Sequence, residues 1–181
     1  MKAKLFIIFF FLMLISGCTK NIDPVAPDVQ NKPNTLLLTS FELNGKASLD
    51  GWISPGPPIV KFSKAVPLNG GNFSIFLKAR SLGAYVSKNI KALTGKHNYR
   101  LTFWSKSTED PGSIAIYKLS DNSKTLIKDQ FITKNKWSKF IIDFQLNSSP
   151  SDSIQIMLGG SDFIVPQGFN YFDLIDLQSI D

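Results

Sequence analysis

The feature that most constrains the fold of this chain is a period of two in its hydrophobic residues after position 35. Residues 98–106 (NYRLTFWSK) show the pattern, with core-type side chains at every second position: Tyr99, Leu101 and Phe103. Alternation of this kind places successive side chains on opposite faces of a β-strand. Similar runs predict eight further strands, at residues 36–42, 72–79, 84–90, 113–119, 124–132, 137–146, 153–158 and 170–180.

Turn-forming residues separate nearly all of these predicted strands. Clusters of Gly, Pro, Asn, Asp and Ser occur at residues 69–71, 94–96, 110–112, 120–122, 149–151 and 159–160. The segment after position 35 carries no convincing helical stripe. Short strands at this spacing predict an all-β fold, an antiparallel sandwich or barrel.

The first twenty residues have a different character. Lys2 and Lys4 precede an uncharged apolar run at residues 5–15, which is too short to cross a bilayer as a helix. This layout is typical of a secretory signal peptide. The sequence Ile-Ser-Gly-Cys at 15–18 resembles the lipobox of bacterial lipoproteins, in which the signal is cut before the cysteine.

The lipobox resemblance implies a lipid on Cys18, and therefore a membrane as partner. Cys18 is the only cysteine, so an intramolecular disulfide is excluded, and so are a free thiol nucleophile and a Cys-based zinc site. Attached acyl chains anchor a protein stably. Thr19, where an Asp would favour the inner membrane in that family, points to the outer membrane of the cell envelope. A plain signal peptide with an incidental cysteine is the alternative.

The sequence predicts three segments: a signal peptide at 1–17, a Pro-rich tether at 18–34 and one domain at 35–181. The tether contains three prolines and has no apolar periodicity. The formal charge of +6 falls by two when the basic head is removed, and the lysines are scattered. Such a distribution argues against nucleic-acid binding. A weak attraction to anionic glycans or lipid headgroups stays open.

An ordered set of short motifs runs through the predicted domain. They are SFE at 40–42, GW at 51–52, GNFSI at 71–75, LTGKHNY at 93–99, WSKF at 137–140 and YFDLI at 171–175. In this order they resemble the jelly-roll carbohydrate-binding modules of the galactose-binding-like group, over residues 36–181. The resemblance implies two sheets in a β-sandwich and a non-catalytic domain that binds glycan.

The same resemblance implies a structural Ca²⁺ near the paired chain ends. Carried over to this chain, its carboxylate ligands are Glu42 and Asp173, with backbone carbonyls of residues 69–72 completing the shell. Hard oxygen ligands of this kind suit Ca²⁺. The alternative is that both carboxylates are solvated or hydrogen-bonded at strand ends.

The sequence offers little for catalysis. His97 is the only histidine and lies in a predicted turn, without an evident partner to orient it as a base. The acidic residues fall mostly in loops, and no two of them are predicted to converge as a glycosidase requires. We therefore predict that the domain is not an enzyme.

The candidate ligand contacts are aromatic side chains on the face of a strand that points away from the core, because a sugar ring can lie against an aromatic plane. The predicted ligand-binding residues are Trp104, Tyr117, Phe76 and Tyr85, with polar contacts from Arg100, Asn89 and Gln155. Trp52 and Trp137 are assigned to the core and the sandwich rim. Cross-strand packing would equally explain the aromatics, and the end loop at 51–58 is a rival site. The alternative function is a structural or assembly lipoprotein that uses the jelly roll for protein–protein contacts.

Overall fold

The computed structural model describes residues 34–54, 60–78, 85–160 and 168–181. The predicted signal peptide, Cys18, nearly all of the tether and the second half of the 51–58 loop lie outside the described residues. Across the described ranges the chain forms strands, turns and bends, and none of it is a helix that could span a bilayer.

The described residues form twelve β-strands. They are β1 (Asn34–Thr39), β2 (Glu42–Leu43), β3 (Lys46–Ala47), β4 (Val60–Ser63), β5 (Ser74–Lys78), β6 (Tyr85–Lys91), β7 (Gly95–Ser107), β8 (Gly112–Ser120), β9 (Ser123–Ile132), β10 (Ser138–Ser148), β11 (Ser153–Gly159) and β12 (Phe169–Ser179). All nine strands predicted from the alternation are present, with ends shifted by a few residues. Strands β2, β3 and β4 were not predicted.

Two antiparallel sheets make up the fold, as the sequence predicted. The larger sheet has the order β10-β7-β12-β5-β4, and β1 pairs with the second half of β12. The smaller sheet has the order β6-β11-β8-β9, and β2 pairs only with β3. The architecture is an all-β antiparallel sandwich of the jelly-roll type.

The core contains the residues that the alternation assigned to it. Tyr99, Leu101 and Phe103 are fully buried on β7, and Ile154 and Ile156 are fully buried on β11. Trp52, predicted for the core, is also buried, and its ring lies 5.7 Å from that of Phe41. The hydrophobic effect therefore fixes which face of each strand points outward.

The first strand ends earlier than predicted. β1 stops at Thr39, because Phe41 adopts a left-handed backbone conformation (φ 56°) that cannot continue a strand. The Thr39 hydroxyl accepts a hydrogen bond from the Phe41 N–H, which stabilises this bend. Phe41 is fully buried, and the chain then turns so that Glu42 begins β2.

A β-bulge interrupts β12 between Asp173 and Asp176 in its pairing with β7. Leu174, inside the bulge, has a φ of 49°. Before the bulge Phe172 faces the core, and after it Ile175 and Leu177 do, so the bulge reverses the parity of the strand. Bulges of this kind re-aim side chains and are common beside functional sites.

Candidate functional site

A cluster of aromatic side chains occupies the outer face of the six-stranded sheet, the face directed away from the core. We call this group the aromatic cluster: Phe76, Trp137, Phe169 and Tyr171. The ring centroids are 5.5 Å apart for Phe76 and Tyr171, 5.2 Å for Phe76 and Phe169, and 6.1 Å for Trp137 and Tyr171. All four side chains are partly exposed, so the cluster presents ring surface to a ligand.

Strand register assembles the cluster. Tyr171 on β12 lies opposite Phe76 on β5 and opposite Lys106 on β7, so the three side chains form one row across the sheet. The Lys106 ammonium lies 4.6 Å from the Tyr171 ring centroid and 5.3 Å from that of Trp137. A cation in this position is attracted by the negative face of each ring.

Trp104 lies two residues from Lys106 on β7 and points to the same face, as predicted from its strand. It stands opposite Lys139 on β10 and Asp173 on β12, and its side chain is partly exposed. Because alternate residues of a strand are about 7 Å apart, Trp104 extends the aromatic surface along the strand direction.

One polar group on this face lacks a full set of partners. Asp176, which is opposite Thr102 in the register, accepts a hydrogen bond from the Gln178 side chain at 2.6 Å on Oδ2. Its Oδ1 is buried and has no partner among the described residues. Burial raises the pKa of the Asp176 carboxyl above its usual value.

The predicted ligand residues are divided between the two sheets, so they do not form a single site. Trp104, Phe76 and Arg100 lie on the outer face of the six-stranded sheet. The others lie on the four-stranded sheet, where Asn89, Gln155 and Tyr117 form one row and Tyr85 begins β6.

Several of these predicted residues already have protein partners. Arg100 is paired with Asp143 through two hydrogen bonds of 2.8 Å. The Gln155 amide donates to Asn89 at 2.9 Å, and the Lys124 ammonium lies 4.0 Å from the Tyr117 ring centroid. Of the predicted ligand residues, Phe76 is therefore part of the aromatic cluster and Trp104 lies beside it.

Trp137 lies directly before β10, at the rim rather than in the core, and its side chain is partly exposed. Ser138 pairs with Ser105, which is fully buried, so the residue before Ser138 points outward by strand parity. Phe169, Tyr171 and Lys106 were not predicted as contacts. For Tyr171 the signal was available, because its neighbour Phe172 is fully buried in the core.

The two carboxylates predicted to bind metal do approach each other beside the bulge. Asp173 is fully buried; its Oδ1 accepts a 2.8 Å hydrogen bond from the Leu174 N–H, and its Oδ2 has no partner among the described residues. Burial, with a smaller contribution from the Glu42 charge, raises the pKa of Asp173 to about 7 from 3.8. A buried, unpartnered carboxylate oxygen is costly unless a cation or a proton compensates it.

Glycines 70 and 71 make room for both carboxylates. A Cβ added to Gly70 would lie 2.8 Å from Asp173 Oδ2 and 3.0 Å from the Pro67 carbonyl oxygen, and one added to Gly71 would overlap Glu42 Oε1. The segment was expected to supply carbonyls, but the N–H groups of Asn72 and Phe73 donate to Glu42 Oε1, the second at 2.7 Å. The Pro67 carbonyl oxygen lies beside Gly70 and accepts a 2.9 Å hydrogen bond from its N–H.

His97 has both ring nitrogens engaged. Nδ1 contacts the Asp181 carboxylate and Nε2 lies 3.0 Å from the Thr94 carbonyl oxygen. The hydrogen bond to Asp181 raises the pKa of His97. His97 therefore links the Thr94 turn to the Asp181 end of the chain, and neither ring nitrogen is directed at a ligand. Asp173 is likewise too deeply buried to reach a substrate.

No family model and no curated protein sequence matches this chain. Among solved structures, the second xylan-binding domain of family 22 from Paenibacillus barcinonensis Xyn10C is similar, with a TM-score of 0.60, 14% identity and coverage of 80% of this chain and 99% of that domain. A family 16 carbohydrate-binding module aligns with a TM-score of 0.53 and 24% identity, over 75% of this chain and 96% of the module.

A third similar structure is the Clostridium thermocellum xylanase 10B, a family 22 module joined to a catalytic module. It aligns with a TM-score of 0.59 and 14% identity over 82% of this chain, which spans 29% of the xylanase chain. At these identities the comparisons establish the fold. It is the β-sandwich of jelly-roll carbohydrate-binding modules, as the motif order predicted.

Proposed function

We propose that this domain binds polysaccharide on the outer face of its six-stranded sheet, without catalysing a reaction. The observation that carries the proposal is the aromatic cluster, with Trp104 beside it on the same face. Aromatic rings bury apolar area at small entropic cost, and a partly exposed group of them is a natural platform for the C–H faces of sugar rings.

The ligands of the similar structures support this proposal. The two family 22 domains are a xylan-binding domain and a module solved with its xylanase and xylohexaose. A family 61 module with a TM-score of 0.50 and 19% identity was solved with β-1,4-galactotriose. These proteins share a fold with this chain, and their individual sugars are not carried over to it.

A protein-binding role fits the face less well. A protein interface core is depleted in lysine, yet Lys106 lies within the aromatic cluster and Lys61 is the neighbour of Phe76 across the sheet. The aromatic surface is therefore divided by charges. Such a mixed surface is better suited to sugar rings with hydroxyl and charged substituents than to a continuous apolar contact.

We also propose that the domain is held at a membrane by lipid on Cys18, with residues 18–34 as an extended tether. The support is the lipobox sequence at 15–18 and the three prolines of the tether. The location proposed is the cell envelope, at the outer membrane. Binding glycan there would hold the polymer close to the membrane surface.

A structural Ca²⁺ held by Glu42 and Asp173 is part of the proposal. The donors are hard oxygens, as Ca²⁺ prefers, and the buried Asp173 Oδ2 has no other partner among the described residues. The Pro67 carbonyl would add a third oxygen. The described residues hold no group of three or more His, Cys, Asp or Glu side chains suited to a metal, so the remaining ligands would be carbonyls and water. Bound Ca²⁺ would supply the positive charge that this buried carboxylate lacks.

The test of glycan binding compares two tyrosines on opposite sheets. Tyr171→Ala removes the centre of the aromatic cluster, whereas Tyr117→Ala removes a tyrosine that is also partly exposed, on the four-stranded sheet. The purified full chain and both variants are measured by calorimetry and affinity electrophoresis against xylan, galactan, glucomannan and pectic polymers.

We expect Tyr171→Ala to weaken binding by roughly thirtyfold, the effect of losing a central contact residue, and Tyr117→Ala to bind normally. Loss of binding in Tyr117→Ala alone would move the site to the other sheet. Failure of the unmodified chain to bind any polymer would refute the proposed function.

A further inference from the structure

Among the described residues, the outer face of the six-stranded sheet carries more lysines than acidic side chains. The register places five lysines there: Lys61, Lys78, Lys96, Lys106 and Lys139. In the described part of the chain, ion pairs join Lys88 to Asp50, His97 to Asp181, Arg100 to Asp143 and Lys118 to Asp152, and none involves these lysines.

The acidic groups on this face do not offset the lysines. Asp143 is already paired with Arg100 at 2.8 Å. Asp176 and the buried Asp173 are the other acidic residues that the register places on this face among the described residues, and of the five lysines Lys139 is the one whose charge acts on Asp176. The site proposed above therefore has a positive potential, which concentrates ligands of negative charge.

Lys106 is the lysine most closely joined to the aromatic cluster. Its ammonium lies against the rings of Tyr171 and Trp137, at 4.6 and 5.3 Å from their centroids. The rings position the cation but leave its N–H donors free for an acceptor, since an ammonium carries three of them. A charged donor is thus fixed beside the surface on which a sugar ring would stack.

The charges follow a regular arrangement along the sheet. Lys106, Tyr171, Phe76 and Lys61 are consecutive neighbours on β7, β12, β5 and β4. With strands about 4.8 Å apart, the two lysines of this row are roughly 14 Å from each other, with two rings between them. Lys139 adds a third charge beside Trp104. Ammonium groups therefore flank the aromatic rings at both ends of this row and beside Trp104.

We infer that the polysaccharide bound by this face is anionic, a polymer whose sugars carry carboxylate or sulfate groups. This inference rests on the proposed function. The sugar ring stacks on Tyr171 and its acidic group accepts a charge-assisted hydrogen bond from Lys106, while Lys61 and Lys139 attract acidic groups further along the polymer. Neutral polymers would gain the stacking contacts alone.

The first test compares polymers that differ only in charge. Glucuronoxylan and polygalacturonate are each paired with the same polymer after reduction of its carboxyl groups to primary alcohols, and a sulfated galactan is paired with its desulfated form. We expect the full chain to bind the acidic form of at least one pair about tenfold or more tightly, with an affinity that falls as salt is raised. The pairs that show the preference identify carboxylate or sulfate as the recognised group.

Two lysine variants then locate the effect. Lys106→Gln removes the charge at the cluster, and the matched control Lys124→Gln removes a lysine that lies 4.0 Å from the Tyr117 ring centroid on the opposite sheet. We expect Lys106→Gln to lose most of the preference for the acidic polymer over its neutral form. Lys124→Gln should behave as the unmodified chain.

Three results would overturn the inference. Equal affinity for acidic and neutral forms would leave glycan binding intact and refute the charge selectivity. An equal loss in both lysine variants would show a general effect of net charge and not a site at Lys106. Absence of binding to every polymer in both forms would refute the inference together with the proposed function.

Discussion

We expect the buried carboxyl of Asp173 to make the stability of this protein depend on pH, and the proposed metal site would make it depend on calcium as well. Burial raises its pKa to about 7, against 3.8 in an unfolded chain. Between those values the folded state binds a proton that the unfolded state has released, so stability falls as pH rises from about 4 to about 7. At roughly 1.4 kcal/mol per pKa unit, the total loss is roughly 4 kcal/mol.

Replacement of Asp173 by Asn removes this ionisation and keeps an oxygen to accept the Leu174 N–H. In a calcium chelator, the free energy of unfolding is measured by urea titration at pH 5 and pH 8 for the full chain and for Asp173→Asn. We expect the variant to gain stability relative to the unmodified chain from pH 5 to pH 8 by about 2.7 kcal/mol, because about two pKa units of the raised range lie above pH 5. Comparing the two proteins at each pH cancels the contribution of other titrating groups, such as His97, to the free energy of unfolding.

Calcium should then reverse the order at pH 8. A cation bound to Asp173 and Glu42 stabilises the folded state by mass action, so Ca²⁺ should stabilise the unmodified chain and leave Asp173→Asn unchanged. Asp143→Asn, at an exposed carboxyl paired with Arg100, is the control and should keep the calcium response. The raised pKa would be refuted if the unfolding free energies of the unmodified chain and Asp173→Asn differed by the same amount at pH 5 and at pH 8. Equal stabilisation of both by Ca²⁺ would refute the site.

Three further substitutions test other parts of the molecule. Trp104→Ala should abolish glycan binding in calorimetry while lowering stability by less than the ~3–5 kcal/mol of a large-to-alanine core truncation; a loss of that full size would mean that the indole is a packing residue. Gly71→Ala should lower the melting temperature and weaken the calcium response, because its Cβ would overlap Glu42 Oε1, whereas a normal calcium response would separate Glu42 from the metal. Cys18→Ala should remove labelling by radioactive palmitate in cells; label that persists in this variant would contradict the lipid anchor.

The alternation of β7 was sufficient to predict both faces of the sheet. Each residue of β7 from Tyr99 to Phe103 has the burial that its parity implied, because a strand with one face in the core can take only one register. The same alternation, extended from the core-facing residues of β10 to the residue before the strand, places Trp137 on the outer face.

Other features were outside the reach of the sequence. The bulge in β12 reverses the parity between Phe172 and Ile175, and it depends on the left-handed conformation of Leu174, which no local residue preference suggests. Strand β4 is short and contains the exposed Phe62, so it lacks a strong period. The predicted ligand residues are divided between two sheets because of the order of strands within each sheet. That order cannot be read from the sequence of residues along the chain.

The central place of β12 also determines when the large sheet can form. β12 is bonded to β7, β5 and β1, and its partner β1 lies at the other end of the described chain, with Asn34 opposite Ser179. β8 and β9, by contrast, are joined by a tight turn and can pair locally. Because closing long loops is slow, we expect folding to begin in the four-stranded sheet. The face that we propose to bind glycan includes Tyr171, so it should be completed in the last step, when β12 docks between its partners.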